Sequence, residues 1–300
     1  MIITCTDREH WLQERRKGIG ASDIGCLLGV PEIMRFVSPW SLWASIVDDI
    51  HDESQNHIGD MGHRLEPVIA GLFRDKAEYE GELYDPGDFT IAHSDVLSIA
   101  QCTVDRVLLP TDPVAPHEPS TWLGIVELKA AWWAQAKKLI EDVPLAWQLQ
   151  VNWQMHCTGV DHGYFAVLCD GLEFKWYKVE RHERIIKQMV NKAEAFWDQY
   201  VLPRKPPPTD YTEATTQAIK SYYREAKDTV VALPSDAEQW HRDLESLKAK
   251  KEETDRHISA IKNKLRAAIG ENSFGLIAGD HGYSFRNTKV GRVLRHGKRR

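Results

Sequence analysis

The sequence predicts an α/β fold, with a central mixed sheet flanked by helices, followed by a C-terminal helical hairpin and a small β extension. Helical spacing of apolar residues dominates the first 80 positions, and strand-like alternation replaces it over residues 88–129. A proline-rich segment at 203–208 then precedes a heptad-patterned helix. These three observations also predict two domains, at residues 1–205 and 206–300.

The first 80 residues contain four predicted helices, each with apolar residues three or four positions apart. Glu66 lies on the fourth helix, beside its apolar stripe. The segments are a short helix around Trp11, a second beginning at Ser22 or Asp23, a third over Pro39–Asp49 and a fourth over Asp60–Glu80. Ser22 and Asp23 are both suitable N-cap residues for the second helix.

The middle of the chain alternates between strand and helix patterns, which indicates a mixed sheet covered by helices. Predicted strands cover Asp88–His93, Leu97–Leu109, Trp122–Lys129, Gly163–Cys169 and Leu172–Val179. Predicted helices cover Trp132–Glu141, Pro144–Cys157 and Arg181–Tyr200.

The C-terminal region contains a long helix with a heptad seam that is apolar except at its centre. A seam of this kind requires a partner helix. We expect that partner in residues 212–229, which would make a helical hairpin, and a second subunit remains the alternative. Residues 273–295 are predicted to form short strands, ending in a basic tail. The seam residues are Trp240, Leu244, Leu247, Lys251, Thr254, Ile258, Ile261, Leu265 and Ala268.

The composition excludes several classes of protein. The chain has 300 residues, 42% of them hydrophobic, and a net charge of −6, which is typical of a soluble globular protein. No apolar run is long enough for a membrane span and no secretory signal is present, so we expect a cytoplasmic location. The five cysteines form no CxxC pair, which argues against a zinc ribbon or a disulfide framework.

The residues most suggestive of chemistry are Glu127 and Lys129, in the apolar strand segment Ile125–Lys129. Because side chains alternate along a strand, this glutamate and this lysine project to one face. Asp105 ends or interrupts a neighbouring predicted strand, so pairing of the strands would bring a second carboxylate beside the first. Two carboxylates and the backbone carbonyl of Leu128 form an oxygen-rich shell that suits Mg²⁺ or Mn²⁺.

Such a metal site supports phosphodiester hydrolysis, with Lys129 orienting or deprotonating the attacking water. A glutamate and a lysine two residues apart in a strand are, taken alone, more often a solvent-exposed ion pair. Their interpretation therefore depends on motifs elsewhere in the chain.

Several further motifs occur in a fixed order. Over about residues 8–200 the sequence resembles the phage lambda exonuclease and YqaJ-like viral recombinase family of PD-(D/E)xK nucleases. The resemblance implies a restriction-endonuclease-like core. Its motifs are Arg16-Lys17-Gly18-Ile19-Gly20-Ala21-Ser22-Asp23, Gly62-His63-Arg64-Leu65-Glu66-Pro67, Asp105, Glu127-Leu128-Lys129 and Trp147-Gln148-Leu149-Gln150.

The resemblance implies a role for each matching residue. It makes Asp105 and Glu127 the ligands of two metal ions, Lys129 the catalytic lysine and Glu66 an additional acid. Gln148 is the first choice for a glutamine that touches the active site and Gln150 the second. The terminal 5′-phosphate of DNA would bind Arg16 and Ser22, and Trp132 and Trp133 are possible DNA contacts.

The same resemblance implies an exonuclease that degrades one strand of linear double-stranded DNA from 5′ to 3′ and leaves 3′ single strands for recombination. It also implies a ring-shaped oligomer such as a trimer, and a single-strand annealing protein as partner. Two alternatives remain open. One is an endonuclease or a 3′-directed nuclease on the same scaffold, and the other is a noncatalytic protein that binds DNA ends.

Overall fold

The computed structural model describes residues 1–49, 56–111, 115–116, 118–131, 143–170 and 173–299, with side chains of the second range described from residue 61 onward. The chain divides into two compact units, Met1–Ala226 and Lys227–Arg300.

Short helices build the start of the first unit. Helix α1 (Arg8–Arg15) begins at Asp7, whose side chain accepts a hydrogen bond from the backbone N–H of His10. Asp23 stands at the N-cap of α2, but its side chain makes no capping bond. The four helices after α1 are α2 (Ile24–Leu27), α3 (Pro31–Met34), α4 (Pro39–Asp48) and α5 (Asn56–Lys76).

The central sheet has five strands in the order β2-β5-β6-β7-β8. Strands β6 and β7 are parallel and the other neighbours are antiparallel, so the predicted mixed sheet is confirmed. The strands are β2 (Glu82–Tyr84), β5 (Arg106–Leu109), β6 (Gly124–Ala131), β7 (His162–Cys169) and β8 (Glu173–Glu180).

A second, smaller sheet has the order β1-β3-β4, formed by β1 (Ile2–Thr4), β3 (Thr90–His93) and β4 (Gln101–Cys102). The prediction of one strand over Leu97–Leu109 is therefore wrong. That segment contributes β4 to the small sheet and β5 to the central sheet, and the chain leaves one sheet for the other at residues 103–105. Asp105 lies at this break, where no ladder partner constrains its side chain.

Helices cover both faces of the central sheet. The buried residues of α5, Ile69 and Phe73, pack on one face together with Val126 and Leu128 of β6. The opposite face packs against α6 (Leu145–Thr158), and α7 (Glu183–Phe196) packs on α6 in the same core, which includes Ile125. Helix α6 also contacts β3 and β4, so it lies between the two sheets.

Helix α8 (Glu213–Tyr222), the predicted partner of the heptad helix, packs against α4. The Thr215 hydroxyl donates to Ser38 Oγ at 2.7 Å, and the ring of Tyr222 lies 5.4 Å from that of Trp40. The predicted helical hairpin is therefore wrong. Because α8 buries its apolar face in the first unit, that unit extends to residue 226, beyond the linker predicted to end it at 205.

The second unit consists of α9 (Ala237–Ile269) followed by a three-stranded antiparallel sheet. Arg292 fixes the junction, because its guanidinium donates to the carbonyl oxygens of Gly270 and Asn272. The predicted basic tail is for the most part strand β11. The strands are β9 (Phe274–Ala278), β10 (His281–Thr288) and β11 (Gly291–Lys298). No helix in the described part of the chain is long and apolar enough to cross a membrane.

Candidate active site

Strand β6 carries the two residues predicted to share a face. Glu127 and Lys129 alternate with Val126 and Leu128, which point into the core beneath α5. Since side chains alternate along a strand, Glu127 and Lys129 project toward α6 on the opposite face. Lys129 Nζ donates to Glu127 Oε1 at 2.6 Å, so the predicted juxtaposition is present.

Helix α6 supplies two glutamines to the same carboxylate. Gln150 Nε2 donates to Glu127 Oε1 at 2.5 Å, and its Oε1 accepts from Lys129 Nζ at 3.1 Å. Gln154 Nε2 donates to Glu127 Oε2 at 2.5 Å and to the carbonyl of Thr103 at 3.1 Å. These bonds compensate for the burial of Glu127, whose side chain is only 5% exposed.

The order of preference between the two motif glutamines is corrected by these contacts. Gln148 donates to the carbonyl of Val143 at 2.7 Å, and Gln150 is the residue that touches Glu127 and Lys129. Residues two positions apart on a helix lie about 200° apart around its axis, so only one of Gln148 and Gln150 can face the sheet. Gln154 was missed by the sequence analysis, although it lies four residues after Gln150 and therefore on the same helical face.

Asp105 reaches β6 from the break between β4 and β5. Its Oδ2 accepts a hydrogen bond from the backbone N–H of Leu128 at 2.7 Å. The N–H and C=O of one strand residue point toward the same neighbouring strand, so the carbonyl of Leu128 lies on the edge that Asp105 occupies. Asp105, Glu127 and the Leu128 carbonyl thus belong to one neighbourhood.

The two carboxylates disfavour each other's charge. Burial, and after it the negative charge of Glu127, raises the pKa of Asp105 well above its ordinary value, against the opposing effects of Lys129 and the Leu128 N–H. A divalent cation would reverse this balance, because it neutralises both groups and accepts oxygen ligands. Gln154 Oε1 is in addition buried without a hydrogen-bond partner in the described structure.

Lys129 is held in its charged form. Desolvation lowers the pKa of Lys129, but the charges of Glu127, Asp105 and Glu66 and the hydrogen bond that Lys129 donates to Glu127 together outweigh it, so the pKa lies above the ordinary value. At neutral pH Lys129 is therefore an ammonium group. In this state it can orient a water or stabilise a phosphate, but it cannot accept a proton.

Glu66 on α5 lies close enough for its charge to act on both Asp105 and Lys129. Its own ion pair is with His63, at 2.8 Å between Nδ1 and Oε1. Within the ranges that the structure describes, no three His, Cys, Asp or Glu side chains converge closely enough to hold an ion by themselves. The oxygen donors that fit a hard cation are therefore Asp105, Glu127 and the Leu128 carbonyl, with Glu66 at a greater distance.

A cavity of about 50 Å³ lies where the phosphate pocket was predicted, lined by Ser22, Gly20, Thr103 and Gln150. The arginine that lines it is Arg15. A Cβ on Gly20 would lie 3.0 Å from the Arg15 guanidinium and 2.7 Å from Asp23 Oδ2, so a larger residue would displace the tips of these two side chains.

The assignment of Arg16 to this pocket is corrected. Its guanidinium donates to the carbonyls of Ile46 and Val47 at 3.3 and 3.4 Å, at the C-terminal end of α4, and lies 3.6 Å from Asp49. Arg15 instead points to the cavity, held at 2.9 Å by Asp23 and stacked at 4.9 Å over Trp11. Two adjacent arginines at a helix end point in different directions, and the sequence did not indicate which one enters the cavity.

Ser22 lies where it was predicted, at the rim of the cavity, with its hydroxyl donating to Asp23 Oδ1 at 3.2 Å. The cavity also contains Gln150, which contacts Glu127, so the pocket and the carboxylate site are adjacent. The predicted DNA contacts Trp132 and Trp133, together with the predicted helix Trp132–Glu141, lie outside the described residues.

Comparisons with known proteins agree with the motifs. A family model described as the YqaJ-like viral recombinase domain matches residues 10–161, just over half of the chain. The uncharacterized protein YqaJ of Bacillus subtilis is 26% identical over 276 residues, which cover 90% of this chain and 81% of that protein.

Two solved structures are similar at lower levels. An alkaline exonuclease from Laribacter hongkongensis has a TM-score of 0.48 at 16% identity, covering 64% of this chain and 91% of its own. A phage-related exonuclease from Haemophilus somnus 129PT has a TM-score of 0.42 at 11% identity, covering 63% of this chain and 96% of its own.

Proposed function

The chain belongs to the YqaJ-like viral recombinase family, and from this premise we propose that it is a Mg²⁺-dependent deoxyribonuclease acting on linear double-stranded DNA. The observation that carries the proposal is the convergence of Asp105, Glu127 and Lys129. Residues far apart in the chain provide two mutually repelling carboxylates and one ammonium at the same place.

In the proposed enzyme, Asp105, Glu127 and the Leu128 carbonyl would hold Mg²⁺, for which Mn²⁺ would substitute, and Glu66 would contribute to a second ion. A bound ion would supply a water of lowered pKa and offset negative charge on the phosphate. Lys129 then orients the water and the phosphate with its ammonium group. Gln150 and Gln154 act through Glu127, since their amides fix the carboxylate in place.

We propose 5′-to-3′ degradation that leaves 3′ single strands for phage-type recombination. The adjacency of the Arg15 cavity to Glu127 supports this direction, because a 5′-phosphate bound there would place the first phosphodiester bonds near the carboxylates. A ring-shaped oligomer, a single-strand annealing partner and action in the cytoplasm of a host cell belong to the same proposal. They derive from the resemblance to the family.

Duplex DNA labelled at either the 5′ or the 3′ end tests the proposal. With Mg²⁺ we expect early release of the 5′ label as mononucleotide and late release of the 3′ label, and no release in EDTA. Degradation of covalently closed circles would favour an endonuclease, and early loss of the 3′ label would favour the opposite polarity. Binding of DNA ends without any Mg²⁺-dependent release would favour the noncatalytic alternative.

The Arg15 cavity makes a separate prediction. Arg15→Ala should slow digestion of 5′-phosphorylated duplex by roughly 10-fold or more, the loss expected for a charge-assisted contact of about 1.5–3 kcal/mol. Digestion of 5′-hydroxyl duplex should change much less. The measurement is the initial rate on the two substrates.

Arg16→Ala is the matched control, because Arg16 is the neighbouring arginine and contacts only α4 carbonyls and Asp49 among its described partners. It should affect both substrates equally. If Arg16→Ala discriminates between the two ends and Arg15→Ala does not, the corrected assignment fails.

A further inference from the structure

Helix α9 carries an exposed apolar seam. Five of its large residues are between 43% and 62% exposed, and Leu265 is partly buried. The seam residues alternate at spacings of four and three, with a polar centre at Lys251 and Thr254. Exposed apolar residues in a continuous stripe indicate an interaction surface rather than ordinary solvent contact. The exposed members are Trp240, Leu244, Leu247, Ile258 and Ile261.

The rest of the helix is organised to face solvent. Ion pairs join Glu238 to Arg242 at 3.6 Å and Glu252 to Arg256 at 2.6 Å, and in heptad terms all four residues lie opposite the seam. The segment predicted to cover the seam, α8, packs on α4 instead. Within the second unit, none of the described residues covers the seam from Trp240 to Ile261.

Two copies of the seam can pair in one antiparallel register that sets apolar residues opposite apolar residues and the polar centre opposite the polar centre. In an antiparallel pair of α9 helices, Trp240 would face the partner's Leu265 and Leu244 the partner's Ile261. Leu247 would face the partner's Ile258, and Lys251 the partner's Thr254. A shift by one heptad in either direction sets Lys251 or Thr254 against an apolar residue, at a desolvation cost.

The parallel arrangement is disfavoured at the same position. It would place Lys251 beside Lys251 of the partner subunit, with two ammonium groups at the centre of an apolar interface. The antiparallel arrangement separates them. It also aligns flanking charges of opposite sign, Lys248 with the partner's Asp255 and Asp243 with the partner's Lys264, each pair occurring twice by symmetry.

We propose that α9 is a dimerisation element, which forms an antiparallel two-stranded coiled coil with α9 of a second copy of this chain. The proposal is independent of the nuclease function. It differs from a ring contact because its interface is two-fold, so each coil joins two protomers only. The occupant of the seam is therefore a second copy, in the register set by Lys251 and Thr254.

Cysteine cross-linking in the full-length protein tests both the partner and the direction. Leu247→Cys and Ile258→Cys are made separately, and each protein is oxidised alone and after mixing and re-equilibration. The five native cysteines are buried, so they should not react under mild oxidation. The mixture should give roughly 10-fold more disulfide-linked dimer than either variant alone, because only there do two cysteines face each other within bonding distance.

Each other outcome overturns the proposal. Strong cross-linking of Leu247→Cys alone would indicate a parallel pair, and no cross-linking in any sample, with unchanged helix content by circular dichroism, would indicate another occupant. Arg242→Cys, on the solvent face, is the background control. As a second measurement, Leu244→Asp should lower the subunit number seen by sedimentation and Glu245→Gln should not, since Glu245 lies off the seam.

Discussion

Replacing Lys129 with alanine is expected to lower the Mg²⁺-dependent nuclease rate by roughly 10²–10³-fold or more, as the loss of a preorganised charge at a reacting phosphate does in other enzymes. Lys129 Nζ contacts Glu127 Oε1 and Gln150 Oε1, and the surrounding carboxylates keep it protonated. The loss should appear in kcat more than in KM, because the contact is strongest when charge develops on the phosphate.

The chain contains a matched control in β8. Lys175 pairs at 3.0 Å with Glu173, also two residues earlier in a strand, and its side chain is 23% exposed, the same as that of Lys129. Lys175→Ala should leave the rate within about twofold of wild type, as is usual for a surface ion pair. If both variants retain activity, the carboxylate site on β6 is not the centre of hydrolysis.

These two lysines also show where sequence reasoning ends. Glu127-Leu128-Lys129 and Glu173-Phe174-Lys175 are the same local pattern in two strands of one sheet. What separates them is burial: the Glu173 side chain is 53% exposed and the Glu127 side chain only 5%. That difference arises from α6 and from the break at Asp105, which are tertiary features that a three-residue pattern does not contain.

The central elements were predictable because their periodicity is strong. Strand β6, helix α6 and strand β7 lie within a few residues of their predicted bounds, since alternation and helical spacing extend over eight or more positions. The predicted strand at Leu97–Leu109 failed for a different reason. Its residues alternate correctly, but periodicity does not indicate which sheet a segment joins.

Side-chain direction near helix ends was the other source of error. Arg15 and Arg16 are chemically equivalent, and only the packing of α1 decides that one contacts Asp23 and the other the end of α4. The predicted helical hairpin was wrong for a similar reason. The spacing of apolar residues in α8 does not identify the helix they pack against, and in the structure they contact Trp40 of α4. In each case the sequence identified the right kind of residue, but tertiary structure determines which partner that residue contacts.

The second large effect is expected from Asp105→Asn, which should abolish nuclease activity yet stabilise the metal-free protein. A carboxyl whose folded-state pKa is raised contributes stability below its unfolded pKa, and loses that stability as the pH rises through the folded value. For Asp105 the pKa is raised, by burial and then by Glu127, so its charge destabilises the metal-free fold at neutral pH. Asparagine removes the charge and still accepts the Leu128 N–H.

In EDTA at neutral pH, Asp105→Asn should therefore raise the free energy of unfolding by about 1–3 kcal/mol, the usual cost of an uncompensated buried polar group. The gain should disappear below about pH 4, where the wild-type carboxyl becomes protonated in both the folded and the unfolded state. Mg²⁺ should raise the unfolding midpoint of the wild type and leave that of the variant unchanged. Urea denaturation with and without Mg²⁺ measures all three effects.

Asp85→Asn is the control for this prediction, because Asp85 is 54% exposed and pairs with Arg106 at 2.9 Å. It removes the same charge near the same strand, but from a carboxylate that a guanidinium and water already satisfy, so it should lower stability slightly or not at all. A variant at Asp105 that is less stable than wild type in EDTA would mean that Lys129 alone satisfies both carboxylates. The site would then be a structural ion-pair cluster, with no need of a metal.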